Sequence, residues 1–151
     1  MEPTPKSPLL RPNASPTHQS TPLAANLVTA LSNARVAFGL TLMLAPGAVG
    51  KVLAVPMSPP TSAFIRLFGG KDLVLGELTW FTRPKVGVER TEVERRELKR
   101  VLWANVAADG LDVVISGILV MTGGMGGRAA LLGGGGAAVY AAFGLWTLSC
   151  V

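Results

Sequence analysis

Ile65-Arg66-Leu67-Phe68-Gly69-Gly70-Lys71-Asp72-Leu73-Val74-Leu75-Gly76-Glu77-Leu78 has the apolar content of a membrane span, yet four charged residues interrupt it. A charge in hydrocarbon costs several kcal/mol unless it is paired, hydrated or neutralised, so charges inside a span mark candidate functional sites. The remaining sequence therefore reads as scaffold for this stretch, or as partner to it.

Composition agrees with a membrane setting. Of 151 residues, 49% are hydrophobic and only 15% charged, against a charged share of about 25% in soluble domains. The net charge of +5 raises the question of nucleic acid, and position answers it. Seven of the 14 basic residues fall between Arg83 and Arg100, a segment flanked by apolar blocks. No helix-turn-helix, zinc or base-stacking motif accompanies them, so they read as topology-determining charge and nucleic acid is not expected as a partner. A single cysteine, Cys150, excludes an internal disulfide and a cysteine-based metal cluster. It reads as a packed thiol, with palmitoylation as the alternative. No metal and no cofactor are expected.

Outward from the opening stretch, helical spans are expected at about 23–45, 63–82, 101–121 and 129–150, each near the length that crosses about 30 Å of hydrocarbon. The predicted fold is all-α, an integral membrane four-helix bundle over 23–151, preceded by a disordered proline-rich tail at 1–22. That tail holds six prolines, which remove backbone donors and restrict their neighbours. It lacks the short apolar core of a signal peptide. Between the first two spans, Val49 to Val55 suits a short interfacial helix. Glu89, Glu92, Glu94 and Glu97 alternate with Arg90, Arg95, Arg96, Lys99 and Arg100, which suits a solvated helix with i,i+3 and i,i+4 pairs. Lys6, Arg11 and the basic residues of 83–100 fall on one side, opposite Lys51 and Arg128, so the positive-inside rule places both termini in the cytoplasm.

Glycine-rich runs at 123–127 and 133–136 lack the Lys-Ser/Thr ending of a phosphate loop and the strand-to-helix context of a dinucleotide site. In a membrane bundle, small residues let backbones approach closely. Ile65, Gly69, Asp72 and Gly76 form such a stripe on the second span, and Gly133, Ala137, Ala141 and Gly144 on the fourth.

Counting from the basic side at about 1.5 Å per residue puts Arg35, Lys71, Asp72, Asp109 and Asp112 within roughly 12–18 Å of that surface, close to the midplane. Ser32, Arg35 and Gly39 share a face of the first span. Asn105, Asp109, Asp112 and Ser116 form a polar stripe on the third. Lys71 points about 100° from Asp72, so the two need not share a partner. Arg35 and Lys71 are expected to neutralise two of the three aspartates, and the third, Asp109 or Asp112, to hold a proton near neutral pH. Arg66 and Glu77 lie nearer the two surfaces. The candidate catalytic residues are Asp72, Asp109 and Asp112; the candidate substrate-binding residues are Arg35, Arg66, Lys71, Glu77 and Asn105. Interhelical glue is the competing reading of the same charges.

Arg35-Val36-Ala37-Phe38-Gly39-Leu40, then Pro46, then Arg66-Leu67-Phe68-Gly69-Gly70-Lys71-Asp72-Leu73-Val74-Leu75-Gly76 resembles the largely fungal domain-of-unknown-function family 4267, small four-span membrane proteins similar in outline to DoxX-like proteins. The resemblance covers 23–150, with Lys71 at the basic position, Asp72 at the acidic one, and Asp109 or Asp112 as the third-span acid. It implies an endomembrane setting such as the endoplasmic reticulum, a small lipophilic substrate and a link to specialised-metabolite pathways, by analogy of fold.

Three functions fit. The first is an accessory membrane enzyme of isomerase or cyclase type, with a buried acid and no cofactor. The second is a non-catalytic scaffold or assembly partner for pathway enzymes, or a homo-oligomer. The third is a small proton-coupled transporter, weakened by the lack of an internal repeat and by basic residues that disfavour a cation.

Overall fold

In the computed structural model, residues 18–19 and 21–151 are described. The expected disorder of the proline-rich tail therefore falls, for residues 1–17 and 20, outside the described residues. Helices α1 (Pro22–Leu44), α2 (Pro46–Leu53), α3 (Pro59–Thr82), α4 (Glu92–Met121) and α5 (Gly127–Ser149) make the fold all-α among the described residues, apart from one short pairing. There β1 (His18–Gln19) runs antiparallel to β2 (Glu89–Arg90).

The boundaries follow from local chemistry. Thr21 caps α1, accepting the Ala24 N–H at 3.2 Å, with Pro22 in the first turn, where a missing N–H costs nothing. Pro46 restricts the residue before it, so α1 stops and α2 begins at that point. Ser58 caps α3, accepting the Thr61 N–H at 3.3 Å. At the other end Pro84 holds Arg83 in the extended region, with φ −60° and ψ 142°, and α3 stops at Thr82. Arg90 Nη2 donates to the orphan Thr82 carbonyl at 2.6 Å, satisfying one of the acceptors that a helix end leaves open. A reciprocal capping box opens α4: Thr91 accepts the Glu94 N–H, and Glu94 accepts the Thr91 N–H. Gly123, at φ +72°, takes the left-handed conformation that ends α4, and Gly124 N–H bonds back to Leu119 O at 2.8 Å.

One boundary differs from expectation. The charged run and the third span form a single uninterrupted helix of 30 residues. Nothing between Arg100 and Val101 breaks it, because the change there is in polarity and no glycine or proline accompanies it.

Packing divides the bundle into two close antiparallel pairs, α1 with α3 and α4 with α5, joined along α3 and α4. The first pair is brought together by glycines. A Cβ at Gly39 would stand 2.7 Å from the Gly69 carbonyl oxygen, and one at Gly69 would stand 2.7 Å from the Gly39 carbonyl oxygen. Only hydrogen at both positions permits that approach. Ser32 Oγ donates to the Gly76 carbonyl at 2.8 Å across the same seam. Ile65, Gly69, Asp72 and Gly76 are all buried, as the stripe predicts, and Thr79 extends it. On α5 the buried stripe is Gly134, Ala137 and Gly144. Gly134 takes the place expected for Gly133, since Gly134 meets Ser116 of α4 while Gly133 has open space beside it.

An apolar plug of Val28, Leu31, Leu98 and Leu102, backed by Tyr140, Phe143, Leu148 and Val151, fills one end of the bundle. Elsewhere apolar side chains face outward: Leu111, Val114 and Ile118 on α4 and Leu131 and Val139 on α5 are more than half exposed. Only 11% of the most apolar stretch of α4, and 17% of that of α5, is buried within the chain. By length and composition, α1, α4 and α5 are sufficient to cross a membrane. Helix α3 has the length, and carries Arg66, Lys71, Asp72 and Glu77 besides.

Candidate functional site

The site starts from Arg35, halfway along α1. The glycine seam draws α3 against that face, which brings Asp72 within reach; Arg35 Nη1 donates to Asp72 Oδ1 at 2.7 Å. Arg35 Nη2 donates to Asp109 Oδ2 of α4. Over the guanidinium lies the ring of Tyr140 from α5, 5.0 Å from Cζ to the centroid, within cation–π range. One side chain therefore contacts all three other long helices. It is 1% exposed, and its two partners are buried as well.

A second pair lies one turn further along α4. Lys71 Nζ donates to Asp112 Oδ2, and Phe68 approaches the ammonium at 5.2 Å. The 100° offset between Lys71 and Asp72 is what sends the two residues to different partners. This pair is less enclosed than the first. The side chains of Lys71 and Asp112 are 29% and 17% exposed, against 1% for Arg35 and 4% for Asp109.

Sequence depth counting anticipates this clustering of Arg35, Lys71, Asp72, Asp109 and Asp112. It mistakes the pairing. Two cations were expected to satisfy two carboxylates, whereas the forked guanidinium takes two by itself and Lys71 takes the third. A planar guanidinium presents its donors in a fixed fork, which lets Arg35 reach carboxylates on two helices at once.

Below this level lies a neutral polar layer. Asn105 Nδ2 donates to Thr79 Oγ1 at 3.1 Å and to the Val101 carbonyl at 2.8 Å. Asn105 Oδ1 and Arg35 Nε are buried with no hydrogen-bond partner. An orphan acceptor and an orphan donor in one polar core are the groups an internal water satisfies.

Arg66 and Glu77 are not brought to the cluster. Both are exposed, Arg66 toward the start of α3 and Glu77 beside a lateral groove. Tyr140 and Thr79 are site residues that sequence reasoning misses. Thr79 was findable as the next member of the Asp72–Gly76 stripe; Tyr140 carries no charge to flag it. Among the described residues no group of three or more His, Cys, Asp or Glu is placed to hold a metal ion.

Chemically, the cluster brings together two cations and three carboxylates, with Lys71 and Asp112 the more exposed of them. With all five ionised the sum is −1, so one proton balances it. No protein-family model matches the chain, and no curated protein or solved structure matches it.

Proposed function

We propose that the chain is a four-span integral membrane protein, with α3 as the fourth span and both termini cytoplasmic, and that its interior cluster performs acid–base chemistry on a lipophilic substrate. Support for α3 as a span comes from its pairing along α1 and from its two deepest charges, Lys71 and Asp72, each of which has an ionic partner; paired charges are the kind a bilayer tolerates. Support for the orientation comes from the basic residues 83–100, and tryptophan marks the interface beside them. Trp80, Trp103 and Trp146 are outward-facing, at 37%, 58% and 52% exposure, all toward the end of the bundle that carries the basic residues 83–100. Tryptophan at one level with arginine and lysine beyond it is the composition of a membrane interface.

The observation that carries the catalytic reading is the difference in enclosure between the two ion pairs. Arg35, Asp72 and Asp109 form the more enclosed inner triad, which holds the helices and sets the field. Asp112 with Lys71 forms the accessible one. In this reading Asp112, paired with Lys71 as the carboxylate, takes a proton from a substrate carbon and returns it to a neighbouring carbon or oxygen, an isomerisation or cyclisation that balances without electrons or a co-reactant. Lys71 pairs with that carboxylate before and after the transfer. The reading makes the chain an accessory enzyme of a specialised-metabolite pathway in an endomembrane such as the endoplasmic reticulum, and a member of family 4267 on the Arg35–Pro46–Gly76 motif.

A second reading, a non-catalytic scaffold for pathway enzymes, draws on the fact that each of the three aspartates has a cation. Complementation separates the two. In a strain lacking the gene, Asp112→Asn that inserts normally and abolishes one metabolite supports the enzyme. Metabolite output surviving Asp112→Asn, Asp109→Asn and Asp72→Asn leaves only the scaffold. Substrate movement across liposomes containing the purified protein, with no chemical change, establishes a transporter instead.

A further inference from the structure

A groove of about 340 Å³ runs along the outer face of the α1–α3 seam, lined by Asn33, Val36, Ala37, Leu40, Glu77 and Trp80. It is polar at one end and apolar at the other. Trp80 and Glu77 stand one turn apart near the end of α3, level with the outward tryptophans. Val36, Ala37 and Leu40 continue along α1 toward the middle of the bundle, about 10 Å from Asn33 to Leu40. Glu77 is exposed, and neither it nor Asn33 has a hydrogen-bond or ionic partner among the described residues. An anion at the rim of an apolar groove calls for a cation with an apolar body.

We propose that this groove binds a single-tailed amphiphile bearing a protonated amine, with the ammonium on Glu77 and Asn33 and the tail along Val36, Ala37 and Leu40. Ligand clefts run from about 300 to 1,000 Å³, so this groove, near the lower bound, fits a single chain. Charge decides against an anionic lipid, because the only ionisable group in the lining is a carboxylate. The indole of Trp80 adds an aromatic flank to the groove, and Arg83 lies on that ring at 3.3 Å. The proposal is independent of the chemistry assigned to the Asp112 pair, whose residues line no part of the groove.

The test uses the full chain in phosphatidylcholine nanodiscs, with Trp103→Phe and Trp146→Phe so that Trp80 alone reports. Dodecylamine is expected to give a saturable shift in Trp80 emission, and dodecanol and dodecyl sulfate none. Glu77→Gln is expected to weaken the amine about tenfold, the factor for one charge-assisted hydrogen bond. Ala37→Phe, which fills the apolar part of the groove and leaves both the carboxylate and the single tryptophan in place, is expected to abolish saturation. Equal binding of dodecanol overturns the proposal, as does unchanged affinity in Glu77→Gln. Displacement of the amine by phosphatidylethanolamine in the disc also overturns it, since the occupant would then be bulk two-chain lipid.

Discussion

Asp72 and Asp109 come from different helices and share one guanidinium, that of Arg35, with 2.7 Å from Nη1 to Asp72 Oδ1 and Nη2 donating to Asp109 Oδ2. The fork makes Arg35 the point through which α1, α3 and α4 are joined. Removing it as Arg35→Met leaves two buried carboxylates facing each other, and such a loss costs about 3–5 kcal/mol. Arg35→Lys is expected to recover less than half, since an ammonium lacks the fixed fork that fits both acids. Adding Asp72→Asn and Asp109→Asn to Arg35→Met is expected to restore part of the loss. Unfolding by dodecyl sulfate titration in mixed micelles, followed by circular dichroism, measures all three.

The outer pair behaves differently. Lys71 and Asp112 retain contact with the surroundings, so Asp112→Asn is expected to cost about 1 kcal/mol, well below Asp109→Asn at about 3 kcal/mol. The same micelle titration checks the ratio. A larger loss for Asp112→Asn than for Asp109→Asn would reverse the assignment of inner and outer pairs.

Glycine seams make a sharper contrast. At Gly39 an added methyl collides with backbone at 2.7 Å, and backbone cannot swing aside, so Gly39→Ala is expected to lose about 1–3 kcal/mol. Gly133 has nothing within 4 Å and sits inside α5. Gly133→Ala is expected to gain about 0.5–1 kcal/mol from helix propensity alone.

Topology is testable with the native cysteine removed. In a Cys150→Ser background, Glu97→Cys is expected to react with an impermeant maleimide only from the cytoplasmic face, and Lys51→Cys only from the opposite face. Both residues reacting from one side would show that α3 does not cross.

At the start of α4, Thr91→Ala removes the hydroxyl that accepts from Glu94 N–H, a cap worth about 1 kcal/mol. Faster amide exchange confined to the first turn of α4, with the interior unchanged, is the expected readout.

Much of this was legible in the sequence because charges inside apolar stretches are rare and helical periodicity is strict. The stripe Asn105, Asp109, Asp112, Ser116 and the face Ser32, Arg35, Gly39 come from spacing alone, and both face inward. What spacing could not provide was the rotation of one helix against another. That rotation decides that Arg35 bridges two acids, that Gly134 rather than Gly133 meets α4, and that Glu77 turns outward while Asp72 turns in. The continuity of α4 was missed for a different reason: a change from charged to apolar composition alters the solvent around a helix and leaves its backbone hydrogen bonds intact. Tyr140 was missed because its role depends on the face of a neutral ring.

That continuity has a mechanical consequence. Helix α4 runs about 45 Å as one rod, from Glu92 beside the β1–β2 pairing to Met121, and it carries Asp109 and Asp112 past the middle of its length. Arg95 near its charged end also holds the Val151 carbonyl at 2.9 Å. No proline interrupts α4, so one continuous helix links residues 92–100 to both acids. Asp109 is held by Arg35 and Asp112 by Lys71, so a tilt of that helix would bear on both contacts together.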